Sequence, residues 1–234
     1  MISYKNIEQK SEEWFRLKWG KIGGTASNGL FNKTDTLAID ILSQRCEEYE
    51  HIEGFVSDDM ARGNFLEPKA REYLEKLTNL TFEETGWLQS EENELLGISP
   101  DGITPDETVQ CEIKCFGRKN HYKTLLEEEI PRENLAQVIH AFTVNPKLES
   151  LYWIAYRPES PSPFVQEVTR DTLFDMGWKL KREIPQVGTK GQPIKPKIVT
   201  EPDIKSVQQW SEIAIQSADE LLAQILDMES KIKF

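Results

Sequence analysis

Two acids and a lysine in residues 95–114, LLGISPDGITPDETVQCEIK, have the types and spacing that chemistry needs. Side chains alternate across a strand, so Glu112 and Lys114 share one face of the apolar run 109–114, about 6.6 Å apart along it. Asp101 lies in the turn before this run, and the turn can fold its carboxylate back against Glu112. Paired carboxylates suit magnesium, and a neighbouring ammonium can orient a water molecule or a developing charge. The spacing therefore predicts a divalent metal site with a lysine beside it.

The surrounding pattern predicts a strand-turn-strand unit. Two apolar runs, 95–98 and 109–113, are separated by turn formers that neither a helix nor a strand interior accepts. Taken singly, an Asp in a Pro-Asp-Gly turn is usually only a turn residue, and a Glu-x-Lys on a strand is usually a solvated face. It is their combination at this spacing that indicates a functional site.

Ser99-Pro100-Asp101-Gly102 followed by Glu112-Ile113-Lys114 resembles the PD-(D/E)XK nuclease superfamily and, within it, the phage lambda exonuclease or YqaJ-like viral recombinase family. The resemblance covers roughly Ser11 to Val168. It implies an α/β fold of restriction-endonuclease type, with a central mixed sheet of about five strands flanked by helices. The implied function is a magnesium-dependent double-stranded DNA exonuclease that degrades one strand in the 5′-to-3′ direction for recombination, with Mn²⁺ able to substitute.

The resemblance also assigns roles to the residues of the site. Asp101 and Glu112, with the backbone carbonyl of Ile113, would hold the metal, and Lys114 would lower the energy of the attacking hydroxide. Gln137 matches a helix glutamine that contributes to the active site in this family.

Glu67 is a further candidate metal ligand. It lies in the apolar stripe of a predicted helix, where a carboxylate needs a cation, a metal or water. The family's Gly-x-x-x-Glu motif matches Gly63 to Glu67, and its Glu helps to hold the metal, often through water. The alternative is an ordinary ion pair with Lys69 or Arg71.

Residues 22–27 have the composition of a phosphate-binding turn. Two glycines and two hydroxyl residues precede an apolar run, an arrangement that leaves backbone N–H groups open at a helix start. The family's N-terminal signature matches Trp14, Lys18, Gly20, Ile22 and Thr25. The resemblance implies that the 5′-phosphate of a DNA end binds at Lys18, Gly23, Gly24 and Thr25. Lys18 stands where an arginine is often found, so phosphate discrimination is expected to be weaker or shared with Arg16.

A net charge of −12 disfavours a protein that coats nucleic acid by bulk attraction. Basic residues are nevertheless grouped, and these groups are expected to line a channel while the acidic surplus lies on outer surfaces; for any single group the alternative is scattered charge that only aids solubility. A basic loop over 115–123 follows the proposed metal site directly. The candidate contacts to the DNA backbone are Arg16, Arg118, Lys119, His121 and Lys123.

The 234 residues predict one domain spanning 1–234. Three cysteines cannot supply the four ligands of an iron-sulfur cluster, which excludes the nucleases that carry one. No apolar run approaches the ~20 residues of a membrane span, so a cytoplasmic protein is expected, in a bacterial host by resemblance.

Hydrophobic periodicity predicts helices over 11–17, 35–49, 61–77, 131–143, 170–184 and 204–232. Strands are expected over 80–88, 94–98, 109–114, 151–157 and 164–168, the first two forming a hairpin. Residues 185–203, rich in Pro, Gly and Lys, are predicted to form a flexible loop.

Two other functions remain open at this point. An endonuclease could use the same metal site, but it would not need a pocket for a 5′-phosphate. A catalytically inactive DNA-binding relic is disfavoured by the intact set of Asp101, Glu112 and Lys114. The resemblance further implies a homo-oligomeric ring, a trimer, that encloses DNA ends, and a single-strand annealing protein as partner.

Overall fold

The computed structural model describes residues 1–32, 35–50, 57–187 and 193–232. Its helices are α1 Glu12–Lys18, α2 Asn28–Asn32, α3 Asp35–Cys46, α4 Asp58–Thr78, α5 Arg118–Glu127, α6 Arg132–Val144 and α7 Val207–Lys231, with a 3₁₀ turn over Gly24–Ser27. Its strands are β1 Ile2–Tyr4, β2 Trp87–Gln89, β3 Gly97–Ile98, β4 Gly102–Ile103, β5 Val109–Lys114, β6 Ser150–Ala155, β7 Phe164–Thr169, β8 Leu173–Val187 and β9 Pro193–Ser206.

The central sheet is mixed, as expected, but it has four strands in the order β4-β5-β6-β7. β5 runs parallel to β6, with Glu112 opposite Trp153 and Lys114 opposite Ala155, whereas β4 and β7 pair antiparallel with their neighbours. A separate three-stranded antiparallel sheet, β1-β2-β3, includes the predicted hairpin of β2 and β3. The α/β class is confirmed.

Helices cover both faces of the mixed sheet. Cys111 and Ile113 of β5 pack with α4 in one core cluster, and α6 and α7 contribute to a larger core that contains Trp153. Alternation along β5 therefore turns Glu112 away from α4, toward the α6 face. The sequence pattern had predicted that Glu112 and Lys114 share one face of this strand.

Four of the predicted helices are confirmed with small changes at their ends. Ser11 caps α1 by accepting the backbone N–H of Trp14 at 3.2 Å, and Ser57 caps α4 in the same way through Met60. α3 ends at Cys46, three residues before the predicted end, and α6 begins after Pro131. Pro68 lies inside α4, directly after Glu67.

The predicted strand-turn-strand unit is wrong in its pairing. β5 pairs with β4 and not with the run at 95–98, so the hairpin turn lies at 104–108 and Asp101 lies on the link between β3 and β4. Asp106 builds this turn, because its carboxylate accepts hydrogen bonds from the Thr104 hydroxyl and the Thr108 N–H. The strand predicted over 80–88 is also too long, since β2 spans only Trp87–Gln89.

The prediction of a loop over 115–123 is wrong. Its basic residues start α5, which Gly117 precedes as the N-cap residue. The helix buries only a narrow face, with His121 and Thr124 the buried residues, so apolar periodicity could not reveal it.

The helix predicted over 170–184 is wrong, and so is the flexible loop predicted over 185–203, as far as it is described (185–187 and 193–203). Residues 173–187 and 193–206 form β8 and β9, which pair as a two-stranded antiparallel ribbon. Apolar residues at 174, 176, 178 and 180 recur with a period of two, which a strand requires. The prolines of β9 are tolerated because a two-stranded ribbon leaves the outer edge of each strand unpaired. Residues 188–192 of the predicted loop lie outside the described residues.

The C-terminal helix is confirmed from Val207, whereas 204–206 still belong to β9. Ser206 and Gln209 form a reciprocal capping box that fixes this boundary. No helix in the described ranges is long and apolar enough to cross a membrane. That the chain forms a single domain stays a prediction.

Candidate active site

Asp101 and Glu112 come together at the start of the β4–β5 pair. Gly102 lies opposite Cys111, which places Asp101 one residue further along, at the level of Glu112. Asp101 Oδ2 accepts the backbone N–H of Ile113 at 2.6 Å. Burial, followed by the negative charge of Glu112, raises the pKa of Asp101 to about 7. The structure thus brings together the two carboxylates that the sequence predicted as a pair.

Lys114 joins these carboxylates to α6. Its Nζ donates to Glu112 Oε1 at 2.6 Å and to Gln137 Oε1 at 3.1 Å. Burial alone would lower the pKa of Lys114, but the charges of Glu112 and Asp101 raise it above its ordinary value. The lysine is therefore a fixed cation, and Gln137 is placed in the site as predicted.

Arg71 is the residue that sequence reasoning missed as part of the site. Its Nε donates to the Asp101 carbonyl at 2.9 Å, and its terminal nitrogens donate to Glu84 at 2.6 Å and to Glu67 at 3.2 Å. The guanidinium thus holds the Asp101 backbone and the Glu67 carboxylate on one rigid fork. The signal available in the sequence was its position one turn after Glu67 on the same helix.

Glu67 forms one of the two interactions that the sequence left open. It forms the ion pair with Arg71, and it also lies within electrostatic reach of Asp101. Burial, followed by the charge of Asp101, raises the pKa of Glu67. A cation between these acids would relieve that repulsion.

The donor set suits a hard divalent cation. Crowded carboxylates, one with its pKa raised to about 7, favour a positive ion between them. In the described part of the chain, no three His, Cys, Asp or Glu side chains already converge on one point. Asp101 and Glu112 would therefore share a magnesium ion with waters, backbone and substrate oxygens, as that ion usually requires. The ligand roles of Glu67 and the Ile113 carbonyl stay predictions.

A cleft of about 480 Å³ opens next to this site. The predicted phosphate-binding residues line it together with Gln137: Lys18, Gly23, Gly24 and Thr25. Gly24 lies so close to α6 that a Cβ there would be 2.9 Å from Gln137 Cγ. Gln137 therefore contacts both Lys114 and residues 22–27, which we call the glycine turn.

Lys18 and Trp14 line the same cleft. Lys18 Nζ lies 3.7 Å from the centre of the Trp14 ring, and burial lowers the pKa of Lys18 to about 8. Trp14 Nε1 donates to the Gly86 carbonyl at 2.9 Å and to Ser99 Oγ at 2.7 Å. The tryptophan thus fixes α1 to the segment that carries Asp101.

His140, about one turn after Gln137 on α6, connects the glycine turn to β3. Its Nε2 lies 2.9 Å from the Gly97 carbonyl and 3.2 Å from the Ile22 carbonyl, so this nitrogen carries the proton and donates. Burial lowers the pKa of His140 to about 4. A neutral imidazole therefore joins the glycine turn to β3, the strand before Asp101.

The candidate DNA-backbone contacts divide into exposed and buried residues. Arg118, Lys119 and Lys123 are exposed on α5, and Arg16 is exposed on α1, paired with Glu12 at 2.6 Å. His121 is fully buried, so its prediction as a backbone contact is wrong. Helical spacing turns it into the protein while its basic neighbours point outward.

Comparison with known proteins supports these assignments of fold and family. A family model described as YqaJ-like viral recombinase domain matches residues 13–147, more than half of the chain. The crystal structure of LHK-Exo in complex with dAMP has 21% sequence identity and a TM-score of 0.68, over 94% of this chain and 97% of that one. An alkaline exonuclease, LHK-Exo from Laribacter hongkongensis, has 20% identity and a TM-score of 0.64 over the same shares.

No curated protein matches the chain. The two crystal structures show that the fold is shared across nearly the whole chain. The family match contains α4, Asp101, Glu112, Lys114 and Gln137. On these findings, the chain belongs to the YqaJ-like viral recombinase family.

Proposed function

We propose that this nuclease is a magnesium-dependent exonuclease that removes nucleotides from the 5′ end of double-stranded DNA. The observation that carries the proposal is the double contact of Gln137, which accepts a hydrogen bond from Lys114 and packs against Gly24. The proposed chemistry and the proposed anchor for a DNA end therefore share one wall. An anchor at this short, fixed distance selects the bond to be cut by its distance from the end.

The carboxylates of Asp101 and Glu112, with the Ile113 carbonyl and Glu67, would hold Mg²⁺. When bound, the ion would polarise the scissile phosphate and make water a stronger nucleophile. Lys114 would orient the attacking water and offset the charge that develops on the phosphate. Its two hydrogen bonds fix the ammonium for this role before DNA arrives.

The reaction that fits is hydrolysis of the phosphodiester bond between the first and second nucleotides. The water oxygen bonds to phosphorus, the bond from phosphorus to the 3′ oxygen breaks, and that oxygen takes a proton. A nucleoside 5′-monophosphate leaves, and the shortened strand again carries a 5′-phosphate. One similar protein was solved with dAMP, a compound of this product class.

The new 5′-phosphate would bind at Lys18, Gly23, Gly24 and Thr25, ready for the next cycle. Backbone N–H groups at the start of the 3₁₀ turn and the Lys18 ammonium have the chemistry for a phosphate. Resemblance to the family further supports a trimeric ring around the DNA, a single-strand annealing protein as partner, and a place of action in the bacterial cytoplasm.

The test compares linear and covalently closed circular duplex DNA, with Mg²⁺ and with EDTA. Linear DNA with 5′-phosphate ends should be degraded fastest, 5′-hydroxyl ends more slowly, and circles not at all. Release of label from 5′-labelled before 3′-labelled ends measures the direction. Ready cutting of circles would instead support an endonuclease, and full activity in EDTA would refute the metal site.

A further inference from the structure

Two arginines from distant parts of the chain share one glutamate. Arg62 of α4 binds Glu159 as a fork, with nitrogen–oxygen distances of 2.9 and 3.4 Å. Arg157 Nε lies 3.4 Å from the same Glu159 carboxylate. The carboxylate lies on the turn between β6 and β7, where Ser160 N donates to the Arg157 carbonyl. Two cations thus converge on one anion.

This cluster lies beside the active site. Tyr156 N donates to the Lys114 carbonyl at 2.8 Å, so Arg157 follows at the carboxyl end of the parallel β5–β6 pair, the edge where ligands of such sheets bind. Arg62 lies on α4 five residues before Glu67, about 7.5 Å along the helix. The Cys115 thiol is within electrostatic reach of both groups: burial, then Glu67 and Asp101, raise its pKa, and Arg62 lowers it in part.

The glutamate and the arginines differ in exposure. The Glu159 side chain is 54% exposed, whereas those of Arg62 and Arg157 are 31% and 12% exposed. Arg62 Nε is buried and makes no hydrogen bond within the described residues. The arginine side chains are therefore more buried than the carboxylate that pairs with them, Arg62 has one unused donor, and Glu159 lies on an exposed turn.

A DNA phosphate has the chemistry to replace Glu159, because guanidinium groups bind phosphate and carboxylate through the same two-pronged geometry. We propose that Arg62 and Arg157 form a binding site for a backbone phosphate of the DNA substrate, and that Glu159 occupies this site in the free protein. The inference rests on the proposed action on DNA and adds a contact that anchors the strand near the metal carboxylates. Glu159 thereby competes with DNA and keeps the arginines from binding other anions.

The test measures binding of a fluorescein-labelled linear duplex by anisotropy in EDTA, which separates binding from hydrolysis. Glu159→Gln should lower Kd by at least about threefold at low salt, because the internal competitor is lost. Arg62→Ala and Arg157→Ala should each weaken binding and flatten the dependence of log Kd on log salt by up to about 0.9. In the Arg62→Ala background, Glu159→Gln should bring a smaller gain, because it then frees Arg157 alone.

The matched control is Glu72→Gln, which removes the same charge from an exposed pair with Lys76 on α4. If Glu159→Gln binds DNA no better than this control, the cluster only ties the turn to α4 and the inference is refuted. Arg62→Lys, which keeps the charge and loses the fork, provides the same comparison should Arg62→Ala not fold. If the unmutated protein is an exonuclease but Glu159→Gln does not change binding, only this phosphate site is refuted. If Glu159→Gln improves binding but the unmutated protein has no exonuclease activity, only the proposed function is refuted.

Discussion

The charged form of Asp101 lowers the stability of the folded protein, although it is the form that a metal ligand needs. Burial and the neighbouring Glu112 raise its pKa from the ordinary value of 3.8 to about 7. Folded protein therefore keeps a proton that unfolded protein releases between those pH values. The resulting contribution to stability is complete below about pH 4 and is lost as the pH rises through 7.

Asp101→Asn should consequently stabilise the metal-free protein while abolishing hydrolysis. The amide oxygen can still accept the Ile113 N–H, and the buried charge is gone. We expect Tm at pH 8 to rise by about 3 °C or more, the shift that roughly 1 kcal/mol produces at this size, with a much smaller gain at pH 4. Calorimetry in EDTA measures this. An equal gain at both pH values would contradict the assigned charge state.

Mg²⁺ should raise the Tm of the unmutated protein at pH 8 and leave that of Asp101→Asn nearly unchanged, because only the former offers both carboxylates. Mg²⁺ should also bind more weakly as the pH is lowered through 7, because the proton on Asp101 then competes with the ion, so activity at limiting Mg²⁺ should fall. A metal-induced rise in Tm that persists in the variant would mean that the ion binds elsewhere.

Lys18 makes the proposed preference for a 5′-phosphate depend on pH. Burial lowers the pKa of Lys18 to about 8, so the free protein loses this charge as the pH rises through 8. The ratio of kcat/KM for 5′-phosphate over 5′-hydroxyl ends should therefore fall between pH 7 and 9. Lys18→Ala should give a low ratio that is flat with pH, while Lys231→Ala, which alters an exposed lysine at the end of α7, should behave as the unmutated protein does.

At the scale of elements, the packing of the 3₁₀ turn on α6 is expected to position Lys114 through Gln137. Gly24 leaves room for Gln137, and Gln137 in turn accepts the Lys114 hydrogen bond. Gly24→Ala puts a methyl group 2.9 Å from Gln137 Cγ. The Gln137 side chain must then shift, and its hydrogen bond with Lys114 is disturbed. Hydrolysis should slow by about tenfold or more with little loss of Tm.

Gly63→Ala is the matched control for this substitution. A Cβ at Gly63 meets no atom within 4 Å, and alanine favours a helix over glycine, so Tm should rise slightly and activity should persist. Equal rates for the Gly24 and Gly63 variants, measured under single-turnover conditions, would show that Gln137 does not position Lys114.

The elements that sequence predicted correctly are those with a wide apolar face. α4 and α6 repeat apolar residues at helical spacing, and both were assigned. α5 buries little, and β8 combines a period of two with charged residues that also suit a helix, so local pattern misjudged both. The glycine turn was identified from composition, but its contact with Gln137 depends on how α6 packs.

At the scale of the whole molecule, β8 and β9 form a ribbon of their own that pairs with neither of the other two sheets. Phe174 and Met176 at its base are buried in the core, and Trp210 Nε1 donates to the Phe174 carbonyl. β8 pairs with β9 from Leu173 onward, with an irregularity in the register between Asp175 and Lys179. A two-stranded ribbon needs support from elsewhere to be stable in water, and a second copy in the proposed ring could supply it.

Replacing residues 181–200 by Asn-Gly should shorten the ribbon without unfolding the core. Leu180 lies opposite Glu201, so a two-residue turn can join them. If the ribbon forms the ring, light scattering should show a trimer for the full chain and a monomer for the shortened one, with Tm of the monomer unit largely kept. A trimer in both would place the interface elsewhere.

Sequence fell short at this scale where the partners are distant along the chain. Asp101, Glu112 and Lys114 lie within 14 residues of one another, so spacing and motif were enough to group them. Arg62 and Glu159 are separated by 97 residues, and Arg71 reaches Glu84 and Asp101 only because α4 packs on β5. Such contacts are products of the tertiary fold, and a single sequence carries no local signal for them.

His140 gives the protein a built-in spectroscopic reporter. Its imidazole stays neutral above its pKa of about 4, and its buried Nε2 proton is shared between the Ile22 and Gly97 carbonyls. Such a proton exchanges slowly with solvent and resonates far from the crowded part of an NMR spectrum. The chain has only three histidines, so this signal can be assigned and followed while DNA is bound and cut. Broadening or loss of the resonance would show when the glycine turn separates from β3, the strand that leads to Asp101.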